Sequence, residues 1–157
     1  MIDLNEKQII AFFKEKLIAS HNHEKLRIPS VKIFPETGST NTDMKEFLKM
    51  EGEASEGTVY LTDYQSDGRG RQGHSFYSPK GMGIYFSILT RPKESSGNAM
   101  IITTHAAVAV VRAVKELYDI SLSIKWVNDL FLNGKKVCGI LAEGKFCPAL
   151  EYCIMGI

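Results

Sequence analysis

The sequence predicts an α+β domain, a sheet backed by helices, and three observations carry that expectation. Residues 58–62 and 83–90 read as strands on either side of a glycine-rich segment, the second apolar enough to be central in a sheet. Residues 98–118 are small or aliphatic on nearly every side, the pattern of a helix that backs a sheet. Asn133-Gly134, between two apolar runs, is the strongest hairpin signal in the chain.

The 157 residues are 44% hydrophobic, which fits one domain covering 1–157 without disulfide or metal staples. At this size folding buries roughly 68–70% of the unfolded chain's surface. A net charge of +1 gives no global footprint for nucleic acid or membrane, so any charge argument is local. Three cysteines, Cys138, Cys147 and Cys153, form no C-x-x-C pair, and the default is reduced thiols in the cytoplasm. The N-terminus lacks the basic flank of a signal peptide, and no apolar run is long enough to span a bilayer.

The remaining elements follow in order. Ile9, Ile10, Phe13, Leu17 and Ile18 recur at helical spacing over residues 5–19, a packing helix capped by Asp3 or Asn5. Residues 20–29 are polar, end in proline and read as a connection; Val31 to Phe34 then alternate as a short strand stopped by Pro35. Met44, Phe47 and Leu48 mark a second helix, with Thr40-x-x-Asp43 resembling a capping box at its start. The Ser39-Thr40-Asn41 group there serves as cap chemistry or as a set of donors facing a ligand's polar head, and spacing does not choose. Residues 122–127 alternate as a strand, Asn128-Asp129 breaks it, and residues 130–132 resume. Beyond the Asn133-Gly134 turn, residues 135–143 form one strand and residues 150–157 the last. His105, inside the long helix, reads as a packing residue.

Between the first two strands of the opening argument lies the segment that carries the chemistry. From Gly68 to Lys93 there is no acidic residue, while Arg69, Arg71, Lys80, Arg91 and Lys93 supply positive charge. Glycines allow close backbone approach, and guanidinium groups bind carboxylate and phosphate bidentately, so this is a local anion trap. Gly68-x-Gly70-x-x-Gly73 matches the dinucleotide fingerprint as a string only. That fingerprint needs a strand entering and a helix leaving, whereas this segment exits through Ser78-Pro79 into a strand. A P-loop is absent. An RNA-binding Arg-Gly loop would need stacking platforms and repeated basic residues elsewhere, and neither is evident. Lys125-Trp126-Val127-Asn128-Asp129 offers a cation, an indole and two polar groups at a strand end, as plausible an edge turn as a site.

Taken together, Ser39-Thr40-Asn41, Gln65-x-x-Gly68-Arg69-Gly70-Arg71-x-Gly73, Ser78-Pro79, Lys125-Trp126-x-Asn128-Asp129 and Lys136-x-x-Gly139-Ile140-Leu141 resemble biotin protein ligases from about Phe34 to Ile157. The resemblance implies the class II aminoacyl-tRNA synthetase-like, biotin/lipoate ligase fold, a mixed β-sheet backed by helices. It implies a two-step reaction in which biotin and ATP with Mg2+ give biotinyl-5′-AMP, and a lysine of a biotin carboxyl carrier protein, of acetyl-CoA carboxylase or a related biotin-dependent carboxylase, takes the biotinyl group. Neither a prosthetic group nor a fixed protein metal site is implied.

By the same resemblance Arg71, Lys136 and Lys125 would be catalytic. Ser39, Thr40, Asn41, Gln65, Gly68, Arg69, Gly70, Arg71, Lys136 and Gly139 would bind biotin and the adenylate, with Phe76, Trp126, Asn128 and Asp129 in support. Gly139 would give the ligand clearance, and Asp129 would help place the cation. Val127 stands where the family usually has proline. The segment before Phe34 is short for the family's winged helix, which implies no DNA binding, and the chain stops where the family continues toward its nucleotide site. A non-catalytic biotin-binding fragment and a lipoate or other acyl-carrier ligase on the same fold remain the alternatives, and a homodimer stays open.

Overall fold

The computed structural model describes residues 4–19, 29–51, 53–92, 99–147 and 149–157. The Asp3 alternative for the first cap, nearly all of the 20–29 connection, Lys93 and the Cys147 side chain lie outside that description. Helix α1 (Glu6–Ala19) is capped by Asn5, whose Oδ1 accepts the Lys7 and Gln8 backbone N–H groups at 3.0 and 3.2 Å. Of its expected packing residues, Ile9 and Ile10 are half-buried and Phe13 is exposed, while the Leu17 and Ile18 side chains lie outside that description. Then come β1 (Val31–Ile33), α2 (Thr40–Met50), β2 (Val59–Thr62), β3 (Tyr85–Thr90), α3 (Ala99–Tyr118), β4 (Ser123–Lys125), β5 (Asp129–Leu132), β6 (Lys135–Gly139), β7 (Leu141–Cys147) and β8 (Ala149–Gly156).

The architecture is α+β, built on a mixed five-stranded sheet in the order β1-β2-β3-β8-β7. Only β1 and β2 run parallel; the other neighbours are antiparallel. As its apolar sequence requires, β3 is central. Register places Tyr60, Ser87, Gly156 and Leu141 in one row across the sheet, and Leu89, Ile154 and Glu143 in the next row on the same face.

Strand alternation then decides which helix covers which face. Ile154 packs with Leu89, Tyr60 and Tyr152 against Met44 and Leu48 of α2. Its neighbour Met155 points the other way, into a second cluster with Ala106 and Ala107 of α3, Leu130 and Ile140. Leu89 and Ile154 are fully buried, each contributing about 1.5–3 kcal/mol of apolar transfer. The two helices thus clamp opposite faces, and the N-terminus of α2 lies over the row that contains Ser87 and Gly156.

Strands β4, β5 and β6 form a separate antiparallel sheet. The Asn133-Gly134 turn closes β5 onto β6 with both residues at positive φ, +49° and +77°, as a primed hairpin turn requires. Three expectations are corrected here. Residues 135–143 are not one strand: the chain leaves the small sheet at Ile140, whose N–H donates to the Asn128 carbonyl at 2.8 Å, and enters the large sheet as β7. His105 is exposed rather than packed, because the face that α3 buries runs through Ile102, Thr103, Ala106 and Ala107. The Thr40–Asp43 capping box does not form. Ser39 is the N-cap and makes no side-chain cap bond, while Asp43 accepts the Thr37 hydroxyl instead.

Candidate functional site

What replaces the capping box is a side chain from outside the helix. Gln65 leaves β2 in a short bridge between Thr37 and Ser78, which fixes its backbone. Its Oε1 then accepts the Thr40 N–H at 3.0 Å, with the Thr40 hydroxyl oxygen 3.2 Å away, and its Nε2 donates to Ser78 Oγ at 3.1 Å. The free donors of a helix N-terminus and a loop glutamine are thereby joined into one polar wall. Behind it, Ser87 Oγ lies 2.7 Å from Thr40 Oγ1 and within hydrogen-bond distance of Asn41 Oδ1. Ser39, Thr40, Asn41 and Ser87 are all buried, so this row is rigid rather than solvated.

The basic loop folds back as a small hairpin. Phe76 N–H donates to the Gly68 carbonyl at 2.7 Å and Gly70 N–H to the His74 carbonyl at 2.7 Å, around a 3-10 turn at Arg71–Gly73. Gln72 and Gly73 take positive φ, 56° and 77°, at the tip. Gly68 is buried beneath this hairpin: a Cβ there would sit 2.4 Å from the Phe76 carbonyl oxygen and 2.7 Å from Ser78 Oγ. Its role is clearance for the loop's own backbone, and it does not line the cleft.

Opposite the polar wall are the cations. Lys136 Nζ lies 2.8 Å from Asp129 Oδ1 and 5.5 Å from the Phe76 ring centroid, close enough for a cation–π contact. The Asp129 oxygen is buried with no directed hydrogen bond, so the lysine's charge is what compensates it. Arg71 is exposed and donates to Asn128 Oδ1 at 3.3 Å, while Asn128 Nδ2 donates to the Ile140 carbonyl at 3.2 Å. Gly139, expected to give the ligand clearance, also makes room within the protein. A Cβ there would meet the Phe76 ring at 2.8 Å and the Lys136 ammonium at 3.2 Å, so the missing side chain makes room for the Phe76–Lys136 contact.

Between the two walls is a cleft of about 520 Å³, part of it open to solvent. It brings together Ser39, Thr40, Asn41, Gln65, Arg69, Gly70, Arg71, Phe76, Asn128, Lys136 and Gly139 from five separate segments. Gly68, Lys125, Trp126 and Asp129 are not on its wall. Lys125 is exposed on β4 with its ammonium 5.6 Å from the Phe131 ring, where it makes no contact with the cleft. Trp126 lines an adjoining hollow that shares Arg71, Asn128, Ile140 and Leu141 with the cleft. Asp129 acts on the cleft through Lys136. Of the other cations in the basic segment, Arg91 turns away to the Ala54 carbonyl at 3.3 Å.

Four participants were missed in the sequence: Tyr85, Ser87, Gly156 and Glu143. Tyr85 lines the cleft, and its hydroxyl donates to the Pro79 carbonyl at 3.2 Å; burial pushes its pKa above the ordinary tyrosine value. Gly156 lets Asn41 approach, since a Cβ would stand 2.7 Å from Asn41 Oδ1. Glu143 accepts from Asn41 Nδ2 at 2.8 Å and pairs with Lys45. Ser87 looks like one polar residue in an apolar strand until register sets it beneath Thr40.

Cys138 lies beside Lys136. Burial pushes its thiol up to about 11, against the smaller lowering effect of the lysine. Among the described residues no three His, Cys, Asp or Glu side chains converge to hold a metal ion, and no helix is long and apolar enough to cross a membrane. The arrangement offers a rigid donor–acceptor wall for a polar head, an opening of apolar and aromatic groups, and Arg71 and Lys136 where an anion would sit, while Arg69, also on the wall, pairs with Asp67 at 3.1 Å.

Comparison with known proteins gives the family of the chain. Residues 33–157 match the biotin/lipoate A/B protein ligase family. The bifunctional ligase/repressor BirA of Bacillus subtilis is 42% identical over 90 residues, 57% of this chain and 28% of that protein. The biotin–[acetyl-CoA-carboxylase] ligase of Mycobacterium tuberculosis is 30% identical over 129 residues, 80% of this chain and 47% of that protein. Among solved structures, the biotin protein ligase from Aquifex aeolicus in complex with biotin and ATP superposes with a TM-score of 0.66 at 33% identity, over 82% of this chain and 51% of that one. The chain spans about half, or less, of the length of these proteins.

Proposed function

This chain belongs to the biotin/lipoate A/B protein ligase family, and from that premise we propose that it is a biotin protein ligase catalytic unit that activates biotin with ATP and transfers it to a carrier-protein lysine. The observation that carries the proposal is the convergence of five sequence segments on one cleft with a hydrogen-bonding wall at one side and Arg71 and Lys136 at the other. Support for biotin over lipoate comes from the Mycobacterium tuberculosis and Aquifex aeolicus proteins, which are named as biotin ligases.

The roles follow from the charges. In the first step a biotin carboxylate oxygen bonds to the α-phosphorus of ATP, the bond from that phosphorus to the bridging oxygen breaks, and pyrophosphate leaves. Two anions must meet, so neutralisation and alignment are the main tasks of the protein. Thr40, Asn41 and Gln65 hold the polar head. Arg71 and Lys136 face the carboxylate and α-phosphate, with Asp129 keeping Lys136 aligned and Phe76 covering the adenylate. In the second step the lysine amine attacks the acyl carbon and AMP leaves; no covalent enzyme intermediate is required.

Magnesium is expected to enter on the nucleotide's phosphates, and we assign it no fixed protein ligands. The carrier is a biotin carboxyl carrier protein, and the compartment is cytoplasmic. Incubation with biotin, MgATP and a biotin carboxyl carrier domain is the test. Pyrophosphate release with labelling of the carrier lysine is expected; folded protein that yields neither result contradicts the proposal.

A further inference from the structure

The Asn41 amide sits between two very different neighbours. Its Nδ2 donates to Glu143 Oε2 at 2.8 Å, and its Oδ1 meets the Ser87 hydroxyl. Glu143 lies on β7, in the row beyond the one that carries Ser87, and its other oxygen is held by the Lys45 ammonium. A carboxylate only accepts, so Glu143 decides which way the Asn41 amide points.

One decision then propagates. Asn41 Oδ1 also only accepts, so the single Ser87 proton goes to it. Ser87 Oγ is left as an acceptor 2.7 Å from Thr40 Oγ1, shorter than the 3.2 Å from Thr40 Oγ1 to Gln65 Oε1. Gln65 Oε1 is meanwhile fixed as the acceptor of the Thr40 N–H, which turns its Nε2 toward Ser78. Ser87 is fully buried and Asn41 and Thr40 are 4% and 3% exposed, so no water competes for these protons.

We infer that Glu143 is a positioning residue for the polar head of the ligand: by fixing the Asn41 amide it sets the donor and acceptor polarity of the Ser87 and Thr40 hydroxyls, beside a Gln65 amide that the Thr40 N–H holds in place. This rests on the reading of the cleft as a biotin site. The biotin head carries both N–H donors and a carbonyl acceptor, so its fit depends on that polarity and not only on shape.

Calorimetric titration of biotin and of 2-iminobiotin, in which the carbonyl becomes an imine, separates polarity from packing. Glu143→Gln, which lets Asn41 turn over, is expected to weaken biotin binding about tenfold and to narrow the preference for biotin over 2-iminobiotin. Lys45→Met removes only a partly exposed ion pair and is expected to leave affinity and preference within about twofold. Loss of stability in Glu143→Gln with unchanged affinity and preference overturns the inference, as does an equal loss in Lys45→Met. Should Glu143→Gln fail to fold, Ser87→Ala breaks the same row and must narrow the preference; an unchanged preference overturns the inference.

A wild-type chain that ignores biotin removes the ligand reading without deciding the row. In that case the Asn41 side-chain amide resonances decide it. They are expected to move in Glu143→Gln and stay in Lys45→Met, and resonances unmoved by Glu143→Gln overturn the inference.

Discussion

Gln65 caps α2 from outside the helix: its Oε1 accepts the Thr40 N–H at 3.0 Å, the first of the helix's free donors and one that the helix's own N-cap side chain does not reach. The same side chain faces the cleft, so helix stability and ligand contact share one residue. Gln65→Ala is expected to cost about 0.5–1.5 kcal/mol, the usual net value of a lost hydrogen bond, and to lower Tm by a few degrees. Thermal denaturation checks it; an unchanged Tm would show that water replaces the amide without penalty.

Gly68 and Gly139 make opposite demands on an alanine. At Gly68 the new methyl would meet fixed backbone at 2.4 Å, while at Gly139 it would meet the ends of Phe76 and Lys136, which can swing away. Gly68→Ala is therefore expected to lose about 1–3 kcal/mol, the range for overpacking, and Gly139→Ala markedly less while weakening adenylate formation. Urea midpoints of the two variants give the order, and a reversed order contradicts the packing described.

Lys136 and Arg71 differ in what their removal leaves behind. Arg71 is exposed with one amide partner, so Arg71→Ala is expected to change stability by about 0.5 kcal/mol or less while impairing adenylate formation. Lys136→Ala strips the charge from beside a buried Asp129 oxygen, an expected cost of about 1–3 kcal/mol. Adding Asp129→Asn to Lys136→Ala is expected to recover part of that stability and none of the activity, a pattern that denaturation and pyrophosphate release read together.

The Cys138 thiol is raised to about 11 by burial, so the folded state holds its proton where the unfolded state gives it up. Between the unfolded value near 9 and about 11 the unfolded chain binds fewer protons, and stability falls as pH rises through that window. Cys138→Ala is expected to flatten that decline by about 1–3 kcal/mol. At about pH 8 the folded protein is expected to resist thiol alkylation at this residue, and peptide mapping after labelling checks it.

The sequence made most of the site visible because the Gly-Arg-Gly-Arg loop, Ser39-Thr40-Asn41 and Lys136-x-x-Gly139 are contiguous signatures that stay together when the chain folds. Strand positions such as β3 and the Asn133-Gly134 turn were equally local. What was hidden depends on register. Glu143 reaches Asn41, and Gly156 admits it, only because β8 lies between β3 and β7, and no single segment announces that order. The break of 135–143 into two strands was hidden for the same reason, since Asn128 grips Ile140 from another part of the chain. Lys125 misled in the opposite sense: its motif neighbours Asn128 and Asp129 lead to the cleft, while strand geometry leaves its own side chain against Phe131 on the outer surface.

The most direct measurement of the central claim is a titration of biotin into isotope-labelled protein, read at the backbone amides. Saturable binding is expected, with the largest shifts at Thr40, Gln65, Gly70 and Arg71, and with most of the affinity lost in Arg71→Ala. Absence of saturable binding, or shifts confined to residues away from the cleft, would contradict it.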